Sequence, residues 1–100
     1  MKLQIQSVHF TADQSLLDFI QKKLDKLETF SDRIVGGEVI LRVERPEAQN
    51  NKIVEVKLFV PGTTLFCKEQ NGTFESATDK AVEDMRKQLI RYKEKALSHH

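Results

Sequence analysis

The chain has 100 residues and 11.5 kDa, 39% hydrophobic and 31% charged, with four Gly, two Pro and one Cys, which leaves room for one compact domain and no second. Sixteen Lys and Arg against fifteen Asp and Glu give a net charge of +1, so bulk charge does not mark a nucleic-acid binder and any such role rests on where the charges lie. The lone Cys67 excludes an internal disulfide framework, and an alternating Met1 to Gln6 with no apolar run near ~18 residues predicts neither signal peptide nor membrane span and hence a cytoplasmic protein.

Lys2 to Phe10 reads as a strand with Leu3 and Ile5 on one face and a phase slip before Val8 and Phe10. Asp13 offers a helix N-cap, and Leu16, Leu17, Ile20, Leu24 and Leu27 recur at spacings of three and four, predicting an amphipathic helix that ends near Phe30. Asp32 and the pair Gly36-Gly37 read as turn punctuation. Val39, Leu41 and Val43 then alternate with Glu38, Ile40, Arg42 and Glu44 as in a strand with one buried face. The polar stretch Arg45 to Asn51, which holds Pro46, is a loop.

Lys52 to Val60 predicts a third strand, with Val54, Val56, Leu58 and Val60 inward, and after the turn dipeptide Pro61-Gly62 a fourth strand runs from Thr63 to Glu69. Short connections predict an antiparallel meander. Thr73 caps a last helix from Phe74 to Leu97, free of Gly and Pro, in which Phe74, Ala77, Thr78, Ala81, Val82, Met85, Leu89, Tyr92 and Ala96 share an arc of roughly 140°. The order β-α-β-β-β-α predicts an α+β two-layer sandwich, a four-stranded sheet with both helices on one face, similar in layout to a double-stranded RNA-binding domain. Residues 1–97 are expected to form the single domain and 98–100 a frayed tail.

Catalysis finds little support. His99 and His100 are terminal, His9 stands by the first strand, and no metal-ligand spacing or nucleophile pair occurs, so no cofactor, metal or small-molecule substrate is expected. Cys67 alternates with Leu65 as a small buried hydrophobe. Gly36-Gly37 leads into a strand and is no phosphate loop, and Glu83-Asp84, flanked by Lys80, Lys87 and Arg91, belongs to a solvated helix face.

The informative pattern is cationic. Lys80, Lys87, Arg91 and Lys95 fall at i, i+7, i+11 and i+15, within about 80° beside the apolar arc, with Asp84 interrupting them and Arg86 and Lys93 on the opposite flank. In the first helix Lys22, Lys23 and Lys26 span about 100° along one edge of its apolar arc. A helix dipole and i,i+4 pairing such as Glu83 to Lys87 explain part of this pattern. With both helices on one side of the sheet, the two basic edges are expected to adjoin across the groove between them as one phosphate-binding surface.

On these residues the chain resembles the bacterial ribosome hibernation-promoting factors and ribosome-associated inhibitors, once called sigma-54 modulation proteins. The specific parts are the run Lys23-Leu24-Asp25-Lys26-Leu27-Glu28 and the run Arg86-Lys87-Gln88-Leu89-Ile90-Arg91-Tyr92-Lys93-Glu94-Lys95, and with the order of elements the likeness covers nearly the whole chain. It implies a non-enzymatic domain that binds the small ribosomal subunit, alone or within the 70S ribosome, between head and body. Its basic helices would contact 16S ribosomal RNA where transfer and messenger RNA sit, inhibiting translation and protecting idle ribosomes in stationary phase or stress. Lys23, Lys26, Lys87 and Arg91 fall on the family's basic positions; Lys22, Lys80 and Lys95 extend the same edges by helical projection. Asp84 stands where members commonly carry Lys. The chain resembles the short form and is expected to be a monomer off the ribosome, with no membrane partner. The alternatives are a small protein-interaction domain with purely solvating charges and a double-stranded RNA-binding module. The latter clamps phosphate at the N-terminus of its last helix, which here is acidic at Glu75 and Asp79.

Overall fold

The computed structural model describes residues 1–45 and 47–98; Pro46 of the expected loop and His99 and His100 of the expected tail lie outside the described residues. The elements are β1 (Leu3–Ser7), α1 (Gln14–Asp25) continued by a 3₁₀ turn (Lys26–Thr29), β2 (Gly36–Val43), β3 (Lys52–Val60), β4 (Thr63–Asn71) and α2 (Phe74–Ser98). They form one four-stranded sheet in the order β1-β2-β3-β4, with β1 parallel to β2 and the other pairs antiparallel. The α+β order and the meander are as the sequence predicts. The first pair is parallel because α1 carries the chain back across the sheet between them.

One face of the sheet and the apolar arcs of both helices close on a single core. Val39 and Leu41 of β2, Val54, Val56, Leu58 and Val60 of β3 and Cys67 of β4 meet Ile20, Leu24 and Leu27 from the α1 side and Phe74, Ala77, Ala81, Met85 and Leu89 of α2. Asp13 caps α1 by accepting the Leu16 amide at 2.8 Å, and Thr73 Oγ1 caps α2 by accepting the Ser76 amide at 3.0 Å. At the start of the chain the Met1 ammonium donates to Asp25 Oδ1 at 2.6 Å and Glu28 Oε1 at 2.8 Å, contacts that raise its pKa. Gln21 Nε2 donates to the Met1 carbonyl.

Three local expectations are corrected. Gly36 and Gly37 are not a turn: both lie in β2, buried, where a Cβ on Gly37 would stand 2.7 Å from the Lys57 carbonyl oxygen and 3.0 Å from side chains of Leu3 and Leu58. Glycine is there because neighbouring backbone and side chains fill the space a Cβ needs. β1 ends at Ser7 instead of Phe10: the inward face changes phase between Ser7 and Val8, His9 takes φ 63°, and the chain leaves the sheet to stack Phe10 on Phe74 with centroids 5.2 Å apart. Val43, expected to face inward, is exposed at the end of β2, where the core gives out. Pro61-Gly62 does make the two-residue β3–β4 turn, with Gly62 at φ 86°, where a side chain is disfavoured.

Candidate nucleic-acid interface

The packing of α2 decides where its cations point. Its inward arc is anchored along the sheet, and on one flank Gln88 Nε2 donates to the Phe66 carbonyl and the Tyr92 hydroxyl to the Pro61 carbonyl, each at 2.8 Å. Beside that flank, against the β4 edge, lie the four sequence-predicted cations of α2. Lys80 and Lys87 surround a shallow depression with Glu69, Glu83 and Asp84. Arg91 and Lys95 line the next one with Thr63, Leu65, Gln88 and Tyr92. All four are exposed, and Lys80, Lys87 and Arg91 make no ion pair among the described residues. The stripe is therefore one continuous surface, mixed in charge at its Lys80 end and cationic toward Lys95.

The other flank of α2 faces α1 and carries different chemistry. Asp79 reaches across to Lys23, whose Nζ sits 3.3 Å from its carboxylate and 5.4 Å from the centre of the Phe19 ring. Arg86 lies over Phe30 at 5.9 Å and is held by Glu83, which lowers the carboxyl pKa and raises that of the guanidinium. Glu83 thus serves Arg86 at i+3, where the sequence suggested Lys87 at i+4. Of the α1 cations, Lys22 and Lys26 are exposed and make no ion pair among the described residues, while Lys23 is half-buried in the groove.

The expected single surface across the inter-helix groove is thereby corrected. The rotation of α2 sends its stripe to the β4 side and turns Asp79 and Arg86 toward α1, so the seven predicted residues divide into Lys80, Lys87, Arg91 and Lys95 on one side and Lys22, Lys23 and Lys26 on the other. The pairing of Lys23 with Asp79 was missed. A helical projection sets Asp79 about 80° to 160° from the four cations of the stripe, on its far side from Lys95, but which helix it meets depends on packing. Gln88 was missed as well; its place inside the Arg86 to Lys95 run is the signal that points to it. A separate cleft of about 370 Å³ opens where the 3₁₀ turn meets the end of α2, lined by Phe30, Ser31, Arg33, Tyr92 and Lys93 together with the acids Glu28 and Asp32, and it balances its charges.

Cys67 is buried, with Sγ 3.5 Å from the Ala81 carbonyl, and burial pushes its thiol pKa up to about 12. It is a core side chain, as the sequence predicts. No helix among the described residues is long and apolar enough to cross a membrane.

The family described as sigma 54 modulation protein / S30EA ribosomal protein matches residues 3–96. A ribosome hibernation promoting factor of Pseudomonas putida is 29% identical over 98 residues, which cover 98% of this chain and 92% of that protein. Among solved structures, a ribosomal subunit interface protein from Coxiella burnetii superposes with a TM-score of 0.84 at 22% identity, covering 93% of this chain and 98% of its own. The N-terminal domain of Protein Y from Thermus thermophilus gives 0.81 at 20% identity, with 92% and 99% covered. Likenesses at this identity show a shared fold.

Proposed function

The chain belongs to the sigma 54 modulation protein / S30EA ribosomal protein family, and from that premise we propose that it is a non-catalytic translation inhibitor and ribosome hibernation factor. It binds the small subunit, free or within the 70S ribosome, and occupies the space of transfer and messenger RNA. The observation that carries this is the exposed row Lys80, Lys87, Arg91 and Lys95, gathered on one flank of α2 in a chain of net charge +1. Such a row neutralises ribosomal RNA phosphates and sets the position of the protein without reading base sequence. Lys22 and Lys26 add a second, smaller set of contacts from α1. Lys23 contributes least, because a phosphate approaching it competes with Asp79. Asp84, between Lys80 and Lys87, lowers the affinity of that end. The protein acts in the cytoplasm, as a monomer when off the ribosome, with neither membrane nor small-molecule partner, when ribosomes idle in stress or stationary phase.

A double-stranded RNA-binding module is disfavoured because the α2 N-terminus carries Glu75 and Asp79 where a phosphate clamp needs cations. The test is sedimentation of the purified protein with 30S subunits, 70S ribosomes and free 50S subunits at low and moderate salt. Co-migration with 30S and 70S that weakens as salt rises, without co-migration on 50S, is expected. Failure to co-migrate even at low salt overturns the proposal and leaves a protein-interaction domain.

A further inference from the structure

The face of the sheet turned away from both helices has a pattern of its own. On β3 and β4 it presents Lys57, Phe59, Thr64, Phe66 and Lys68, set by a register in which Lys57 opposes Phe66 and Phe59 opposes Thr64. Phe66 is 46% exposed, a large apolar ring left in water, and half-buried Phe59 is its diagonal neighbour across the strand pair. The backbone behind the ring is held by the Gln88 hydrogen bond from α2, so the ring stands on a fixed support.

Charge surrounds this aromatic pair asymmetrically. Lys57 lies directly across from Phe66 and Lys68 two residues along the same strand, and neither makes an ion pair among the described residues. The acid opposite Lys68 is Glu55, and it is engaged by Arg42 from β2. Glu38, opposite Lys57 on its other side, is the remaining acid of this face. Three cations against two acids, with one acid already compensated, leave the β3–β4 half positive. An exposed ring on a rigid sheet, flanked by free ammonium groups, is the arrangement on which an unpaired base stacks while its neighbouring phosphates are neutralised. A protein partner would use the ring but has no equal need for both lysines.

We propose that the β3–β4 half of the open sheet face is a second nucleic-acid surface, which takes a single-stranded polynucleotide with a base on Phe66 and phosphates at Lys57 and Lys68. It rests on the ribosome reading for the kind of partner alone, and it lies on the opposite side of the sheet from the α2 stripe.

The experiment is an amide chemical-shift titration of the full chain with a 12-nucleotide oligoadenylate RNA, the same sequence as DNA, and a 12-base-pair RNA duplex. Shifts concentrated on β3 and β4 with either single strand, and weaker with the duplex, are expected. RNA and DNA binding alike assigns the recognition to base and phosphate, and RNA alone adds the 2′-hydroxyl. Phe66→Ala is expected to weaken single-strand binding by about 5- to 160-fold, the range for losing one stacked base. Phe66→Leu, which keeps apolar bulk without the π face, is expected to act in the same direction if Phe66→Ala disturbs the fold. Both variants are expected to keep pelleting with 30S subunits, whereas Lys87→Glu/Arg91→Glu loses pelleting and keeps the β3–β4 shifts. Shifts confined to the helices, or a Phe66→Leu variant that binds the single strand as wild type does, overturn the proposal. A wild-type chain that ignores 30S subunits yet shows the β3–β4 shifts overturns the ribosome reading and leaves this surface standing.

Discussion

Neutralising Lys87 and Arg91 to Gln separates contacts that bind phosphate from cations that are already spoken for. Both side chains are exposed and make no ion pair among the described residues, so each is free to displace a counterion from RNA. Each lost phosphate contact flattens the plot of log affinity against log salt by about 0.7–0.9, so the double variant is expected to lose about 1.4–1.8 of slope. Between 50 and 200 mM salt, wild type then weakens by about 7- to 12-fold more than the variant does. Lys23→Gln is the internal control. Its ammonium is balanced by Asp79 at 3.3 Å, and its removal is expected to change the slope by less than about half of one contact. The assay is 30S binding measured at four or five salt concentrations, with circular dichroism to confirm the fold of each variant. A Lys23→Gln variant that flattens the slope as much as Lys87→Gln/Arg91→Gln would refute the division of the cations into two sets.

Three further outcomes follow from the core. Thr78 is fully buried and its hydroxyl has no hydrogen-bond partner among the described residues; Thr78→Val is expected to stabilise by about 1 kcal/mol, the low end of the cost of an unmet polar group, raising Tm by roughly 4–8 °C. A lower Tm would mean that the hydroxyl is satisfied. Gly37→Ala places a methyl 2.7 Å from the Lys57 carbonyl oxygen and is expected to cost about 1–3 kcal/mol in urea unfolding, as overpacked sites do; an unchanged midpoint would contradict the close approach. The Cys67 thiol, pushed from 9.0 to about 12 by burial, is expected to resist alkylation at pH 8 until the chain unfolds. Because folding raises this pKa, the associated stability is complete below pH 9.0 and is lost between there and about 12, at a slope approaching about 1.4 kcal/mol per pH unit. Stability that rises through that window, or rapid labelling of folded protein, would place the thiol outside the core.

Much of the fold was legible because local and global preferences agree. β3 sets Val54, Val56, Leu58 and Val60 in alternation with Glu55 and Lys57 between a polar loop and Pro61-Gly62, and its boundaries came out as predicted. Asp13 and Thr73 mark helix starts because a side-chain oxygen at that point can accept from a helix amide that has no carbonyl partner. Gly36-Gly37 misled because the same residue serves a turn and a tight strand crossing, and only the neighbours, Lys2, Leu3, Lys57 and Leu58, distinguish them. The candidate site divides in the same way. Helical spacing put Lys80, Lys87, Arg91 and Lys95 on one flank, but which flank faces α1 is set by how Met85 and Leu89 seat in the core. That is a long-range fact with no signature in the spacing of α2 itself.

The parallel pairing of β1 with β2 also bears on the order in which the molecule assembles. Within Gly36 to Ser98 the strand pairings are local: β2 turns back on β3, β3 on β4, and α2 follows directly. Among the described residues β1 pairs in the sheet with β2 alone, and the register Leu3 to Gly37 closes a loop that holds the whole of α1. Closing that loop costs more chain entropy than forming either hairpin. The β1–α1 unit, which shares the core through Ile20, Leu24 and Leu27, is therefore expected to dock after the two hairpins have formed. Lys22, Lys23 and Lys26 ride on this late-closing unit, while the α2 cations and Phe66 are carried by the segment whose strand pairings are all between neighbours in sequence.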